Sequence, residues 1–321
     1  MEPTAVQVEL DGQYRALREE AGYLWRPRAS LLVKGPDAAE YLQGQLTNDI
    51  EGLDPGSGCY AALLDRKGHL VADMRVLRLE SAGGDIWLDL EPGAGEAVLR
   101  HLRTYSIGRD IQIEDAGELW RVASVIGPGA ARLSGFEGLG PEYAQRHRDW
   151  NGTEVLAVAT DLGVDLIVRA DQAATLEALL RAAGIAEVSP DAGEIVRVES
   201  GRPRFGLDMG PEQMPAEAGL DKTHVSFSKG CYPGQEPVAR LHYRGKPNRG
   251  LRGLRLSAPV AAGEPLRLGE KEVGVLGSSV LSPALGPIGL AVVRREAEAG
   301  ARLSVGDGEV TAEVVELPFQ A

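Results

Sequence analysis

Strands alternating with short helices over two thirds of the chain, followed by short strands alone, predict an α+β fold with a small β domain at its end. Three observations carry this expectation. An apolar run, a Gly/Pro/Asp break and an amphipathic helix recur four times; a hairpin stands between the first two copies; and helical periodicity stops after Lys246-Pro247. In "SLLVKGPDAAEYLQGQLTND", Pro36 and Asp37 open a helix that puts Ala39, Leu42 and Leu46 on one face. "GCYAALLDRKGHLVADMRVLRLE" places two β-type runs around "DRKGH", a hairpin whose tip should be exposed. The second copy, "DIWLDLEPGAGEAVLRHLRTY", aligns Val98, Leu102 and Tyr105 on a helix face. "LWRVASVIGPGAARLSGF" is a weaker third. In the fourth, "GVDLIVRADQAATLEALLRAAGI", Asp171 is the expected N-cap and Gly184 the stop. A further helix opening near Pro190-Asp191 should end at Glu199 and run into a long loop. From "LRGLRLS" to "VTAEVVEL" the segments are short and Gly/Pro-punctuated, which favours a small antiparallel barrel or sandwich.

Composition narrows the function classes. A chain of 321 residues, 43% hydrophobic and 25% charged, suits a globular protein that needs no covalent staples. Cys59 and Cys231 could form at most one bridge, and "MEPTAVQVEL" has no basic residue and no long apolar run, so free thiols in a cytoplasm are expected. No segment approaches the roughly 18 apolar residues of a membrane span. A net charge of −13 opposes general nucleic-acid binding. Against that background "RLHYRGKPNRGLRGLR" brings Arg240, Arg244, Lys246, Arg249, Arg252 and Arg255 together with no acid. Such a patch suits an anionic small ligand or an acidic partner, or is a solvated face.

The stretch "VSFSKGCYPGQEPVAR" sets Cys231 among glycines, charges and a proline. Gly230, Pro233 and Gly234 imply a tight loop that presents the thiol. Lys229, with His224, Arg240 and His242 nearby in sequence, is expected to favour the thiolate; a small apolar filler in a turn is the other reading. Cys59, at the start of an apolar strand, reads as core. His69, His101 and His147 read as solvated, and neither cysteine has a partner at zinc-finger spacing. Walker loop, G-x-S-x-G and H-E-x-x-H are all absent from the sequence, which leaves nucleotide hydrolysis, serine esterase and zincin chemistry without support. Glu199 offers two acceptor oxygens to the N–H pair of an amidine-like heterocycle, or is a solvated helix-end residue.

The run "KGCYPGQEPVARLHYRGKPNR" resembles the K-G-C-Y-x-G-Q-E signature of the folate-binding YgfZ proteins, whose mitochondrial counterpart is an iron–sulfur assembly factor. "AAEYLQGQLTNDI", "LLDRKGHLVADMRV", "VRVESGRP" and the late β-rich segment are similar, in order, to landmarks of that family and of the glycine-cleavage T-proteins. The resemblance implies a T-protein-like ring: two interleaved α/β subdomains over residues 1–245 and a C-terminal β-barrel over 246–321, around a folate-binding opening. It implies tetrahydrofolate or a one-carbon derivative as cofactor and iron–sulfur client or assembly proteins as partners, with no direct nucleic acid and no membrane. Carried over by position, Cys231 is the functional thiol. Lys229, Tyr232, Gly234, Gln235 and Glu236 frame it, with Arg240 beyond. Glu199 falls where T-proteins set a glutamate against the pterin ring, and Asp73, Asn48 and Arg202 are further candidate folate contacts.

The departures matter as much. T-proteins carry an Asp-Asp pair where this chain reads Ala72-Asp73, and an asparagine on the next strand where "WLDLEPG" has none; they also lack the K-G-C-Y signature. These differences favour an accessory protein of iron–sulfur enzymes over an aminomethyltransferase using Asp73 as acid–base group. A folate store or sensor without thiol chemistry is the third reading.

Overall fold

The computed structural model describes residues 5–80 and 84–320. The first residues of the opening stretch, read above for the absence of a leader, lie outside them. Helix α1 (Ala5–Glu19) leads into β1 (Gly22–Arg26), β2 (Ala29–Lys34), the short α2 (Ala38–Gln43) and the hairpin strands β3 (Ser57–Leu64) and β4 (Leu70–Arg78). Then come β5 (Ile86–Leu90), α3 (Gly95–Tyr105), β6 (Gln112–Asp115), β7 (Trp120–Ile126), α4 (Ala130–Leu133), β8 (Gln145–Trp150), β9 (Thr153–Thr160) and β10 (Gly163–Arg169). Next are α5 (Ala173–Ala182), β11 (Ala186–Glu187), α6 (Pro190–Glu199) and α7 (Gln235–Arg244). The chain finishes with β12 (Arg249–Leu256), β13 (Pro265–Leu268), β14 (Lys271–Val275), β15 (Ser279–Ser282), β16 (Gly286–Arg294), β17 (Arg302–Val305) and β18 (Val310–Val315).

Contacts divide the chain into two compact units. One is built from residues up to Ala61, Asp73–Gly193 and Ser228–Tyr232; the other from Ala62–Ala72, Glu194–Phe227 and the chain from Pro233 onward. In the first, sheet β11-β1-β7-β10-β9-β8 and the strands of sheet β3-β4-β5-β2-β6 bury alternate faces. Leu77 and Trp87 meet Val122, Val158 and Ile167 there, and Trp87 stands edge-on to Trp120 at 5.5 Å between ring centroids. A second cluster, with Tyr23, Phe136, Leu166, Leu176 and Leu180, lies under α5. Each such side chain contributes about 1.5–3 kcal/mol by leaving water.

In the second unit seven antiparallel strands run in the order β14-β13-β17-β18-β12-β16-β15 over a core that includes Leu254, Leu266, Val293, Leu303 and Val314. Strand β14 curls back on β16, where a Cβ on Gly274 would stand 2.8 Å from the Val292 carbonyl oxygen. The sheet is a half-barrel, and among the described residues no helix follows α7, as the loss of helical periodicity predicts.

Several local expectations change. Helix α2 stops at Gln43, so Ala38, Tyr41 and Leu42 face the core, Ala39 does not, and Leu46 is buried beyond the helix. Tyr105 is exposed at the end of α3. Asp171 sits in a 3-10 turn ahead of α5, whose N-cap is Gln172, whereas Gly184 ends that helix at φ +79° as expected. The hairpin tip is half covered: Arg66 and Lys67 are exposed, but Gly68 packs against Pro237 and Met214. The basic run spans two elements. Arg240 and Arg244 lie on α7, while Arg249, Arg252 and Arg255 lie on β12, where Arg255 donates to the Gln320 carbonyl.

Candidate functional site

Residues 228–232 belong to the first unit, and its contacts there explain their conformation. The Lys229 ammonium donates to the carbonyl oxygens of Gln43, of Leu46 at 2.6 Å and of Asn48 at 3.0 Å, in the turn that leaves α2. These carbonyls include the unsatisfied end of a short helix, where a cation is the natural partner. Burial pulls the Lys229 pKa down to about 8, against the opposing pull of Asp49, Cys59 and Glu51. Asn48 braces the same turn, its side-chain amide donating to the Tyr60 carbonyl at 2.7 Å and its Oδ1 accepting the Asp49 N–H at 3.0 Å.

The neighbouring residues diverge. Tyr232 is buried, with Lys229 Nζ 5.3 Å from its ring centroid, and burial pushes its phenol up to about 12. Cys231 between them is exposed. The sequence therefore does present this thiol. The expected role of Lys229 changes, since its ammonium is spent on backbone carbonyls and the thiol it senses is Cys59. Cys59 is half-buried on β3 rather than fully core, and burial and Asp49 push its thiol up to about 12 in spite of Lys229. Such a thiol is a poor nucleophile at neutral pH.

Also in this unit, β4 turns Asp73 and Arg75 to one side of the strand, Asp73 half-buried and Arg75 fully so. Arg75 bridges Asp89 at 2.6 Å and Asp165 at 2.7 Å; Arg28 meets Asp89 at 2.6 Å and also Glu91; Ser124 donates to Asp165 at 2.5 Å. Burial works to raise the Asp89 pKa, but the two guanidinium groups outweigh it and hold the carboxyl down to about 2. Sequence reasoning missed this cluster. Its signal was there: Asp89 in "IWLDL" and Asp165 in "GVDLIV" are charges inside otherwise apolar strands, which must be paired.

In the second unit, Gly234 takes φ +77° because a Cβ there would collide with the Asp65 carbonyl oxygen. Helix α7 begins at the next residue, with Pro237 in its first turn, where a missing N–H is harmless. Gln235 is half-buried, and Glu236 and Arg240 are exposed. His242 stacks on Phe227 at 3.7 Å, and His224 is buried with Nδ1 2.7 Å from the Thr223 hydroxyl. Replacement of Gly234 by alanine should add about 1–3 kcal/mol of backbone strain before the collision is counted. A denaturation midpoint equal to that of the parent would refute this account of the turn.

Glu199, at the end of α6, is 7% exposed and accepts the Ser282 hydroxyl at 2.5 Å, so the solvated reading fails. Arg202 follows half-buried, its carbonyl accepting from Arg197. Arg197 also pairs with Asp208 at 2.9 Å and Glu194 at 2.6 Å. A cleft of about 420 Å³ between residues 206–213 and strands β14 and β16 is lined by Arg249 of the basic run but by none of the residues expected around Cys231 or the folate. Among the expected solvated histidines, His147 is exposed, His69 is half-buried 3.7 Å from Asp65, and His101 is half-buried against Gln45 with its pKa lowered by burial. No group of three His, Cys, Asp or Glu suited to a metal ion occurs among the described residues, and no described helix is long and apolar enough to cross a membrane.

Residues 8–229 match the GCVT N-terminal domain, and residues 249–320 match the glycine cleavage T-protein C-terminal barrel domain. The chain belongs to the glycine-cleavage T-protein family. An aminomethyltransferase of Rubrobacter xylanophilus is 30% identical over 329 residues, spanning 97% of this chain and 86% of that protein. The tRNA-modifying protein YgfZ of Klebsiella pneumoniae is 28% identical over 248 residues, 74% of this chain and 72% of that one. The aminomethyltransferase T of Bartonella henselae superposes with a TM-score of 0.85 at 23% identity, over 97% of this chain and 89% of that one, which establishes the mixed α/β T-protein fold. Cys231 and Arg240–Lys246 fall between the two matched spans of this T-protein-family chain.

Proposed function

We propose that this T-protein relative is a tetrahydrofolate-binding accessory protein for iron–sulfur enzymes, working through the Cys231 thiol. The observation that carries the reading is the contrast within one short segment: Cys231 is exposed while Tyr232 is buried and Lys229 is tied to three carbonyls. A loop cysteine held out by anchored neighbours is suited to exchange with another thiol or to contact with a cluster on a partner. The eight-residue signature around it resembles that of the YgfZ proteins, one of which is 28% identical over 74% of this chain, which favours the YgfZ-like branch. Glu199, Asp73, Asn48 and Arg202 are the proposed folate contacts. Cys231→Ala should leave the fold and tetrahydrofolate binding intact and abolish support of iron–sulfur enzymes in cells deleted for the protein. Normal activity of those enzymes with this variant would defeat the reading.

A second reading, a folate-dependent aminomethyltransferase with Asp73 as acid–base group, is favoured by the 30% identity to an aminomethyltransferase over nearly the whole chain. Its mark is folate-dependent release of ammonia from an aminomethyl donor, lost in Asp73→Asn. Turnover in that assay together with a silent Cys231→Ala would select it.

A further inference from the structure

Lys229 precedes Cys231 by two residues, yet its charge is aimed away from that sulfur and into the turn after α2. Three carbonyl oxygens on one ammonium use all its donors, so the side chain cannot also serve as an acid or base for a ligand. What it can do is hold. The backbone of residues 228–232 has no helix or strand of its own, and Lys229 and the buried ring of Tyr232 anchor it in the first unit. Of these two, Lys229 carries the N–H donors. We propose that Lys229 is a latch: its side chain, closed on the carbonyl oxygens of Gln43, Leu46 and Asn48, holds Cys231 in its presenting position, and loss of its N–H donors releases the segment.

The groups facing the ammonium define how the latch responds to pH. Asp49 and Glu51, from the loop before β3, and Cys59, from β3 itself, favour the charged form, and the Tyr232 ring lies beside it. Burial opposes them and wins, bringing the titration to about 8. A closed Lys229 therefore gives up its proton more readily than one released into water, whose amine stays charged to about 10.4. By linkage the closed state is favoured, not weakened, as pH rises from 7 to 9, a range in which arginine stays fully charged. This role as a positioning residue rests on the reading of Cys231 as the working thiol, and its test is independent of that thiol's chemistry.

The test attaches a nitroxide to Cys231 by stoichiometric methanethiosulfonate labelling at pH 7, where Cys59 stays unmodified because burial and Asp49 raise its pKa to about 12. Spin-label line shapes of the folded chain are then recorded between pH 6.5 and 9. The parent should be restrained at pH 7 and no more mobile at pH 9. Lys229→Met should be mobile throughout and Lys229→Arg restrained throughout. Equal mobility of parent and Lys229→Met at pH 7, or a parent more mobile at pH 9 than at pH 7, would overturn the latch. In cells, Lys229→Met should reduce support of iron–sulfur enzymes about tenfold, with Lys229→Arg retaining most of it. If Cys231→Ala is silent the accessory-protein reading fails even where the line shapes behave as expected; if Cys231→Ala abolishes function and the line shapes do not respond to Lys229→Met, the latch fails alone.

Discussion

Arg75→Met should destabilise the protein by about 3–5 kcal/mol, a large part of the margin of an ordinary domain. Arg75 is 4% exposed and pairs with Asp165 at 2.7 Å, while Asp89 is shared with Arg28. Methionine fills a similar volume, so the loss reports charge rather than a cavity. Asp165 would keep the Ser124 hydroxyl, which cannot offset the cost of a buried carboxylate without a cation. Arg75→Lys should recover only part of the loss, because an ammonium cannot serve two carboxylates with a planar fork. Denaturant unfolding of the three proteins measures this. A midpoint for Arg75→Met within the parent's error would mean that the cluster contributes no net stability.

The sign of the pH dependence follows from Asp89. Its folded pKa, about 2, lies below the usual carboxylate value, so the folded state releases that proton more readily than the unfolded chain. Its contribution is thus fully present above about pH 4 and fades as pH falls toward 2.

The alternation of strands and helices was legible because each copy couples a β-type run to a period of 3.6, and the half-barrel because its segments lack that period. Two helices were not. Helix α1 buries Tyr14 and Leu17 at a spacing of three, but no apolar β-type run precedes it to mark it as a copy of the repeat. Helix α7 starts inside what reads as loop punctuation, since Gly234 supplies a left-handed turn and Pro237 is allowed in the first turn. Around Cys231, residue types were enough to indicate an exposed thiol. They were not enough to say which way Lys229 points, since neighbours two apart in an irregular segment share no fixed direction. The Arg75 cluster escaped for another reason: the apolar strands around Asp89 and Asp165 mark both charges as interior, but only strand register shows that they share one cation.

Glu199→Gln should weaken tetrahydrofolate binding by about 2–3 kcal/mol, roughly thirty- to a hundredfold in Kd, under the proposed function. The carboxylate is 7% exposed at the carboxyl end of α6, where the helix dipole disfavours a negative charge. Neither burial nor the dipole accounts for a glutamate there, so the residue answers to what it accepts. Ser282 fixes one oxygen, and its own oxygen accepts the Ala284 and Leu285 N–H groups, so the carboxylate is held in a set orientation. An oriented carboxylate suits the paired N–H edge of a pterin, whose two donors need two acceptors. Glutamine keeps the volume and turns one acceptor into a donor, setting N–H against N–H. The same change removes a buried charge, so stability should hold or rise while affinity falls. Calorimetric titration beside thermal unfolding separates the two effects. Unchanged affinity would remove Glu199 from the folate site; a parallel loss of affinity and stability would assign the residue to the fold, with Ser282 as its purpose.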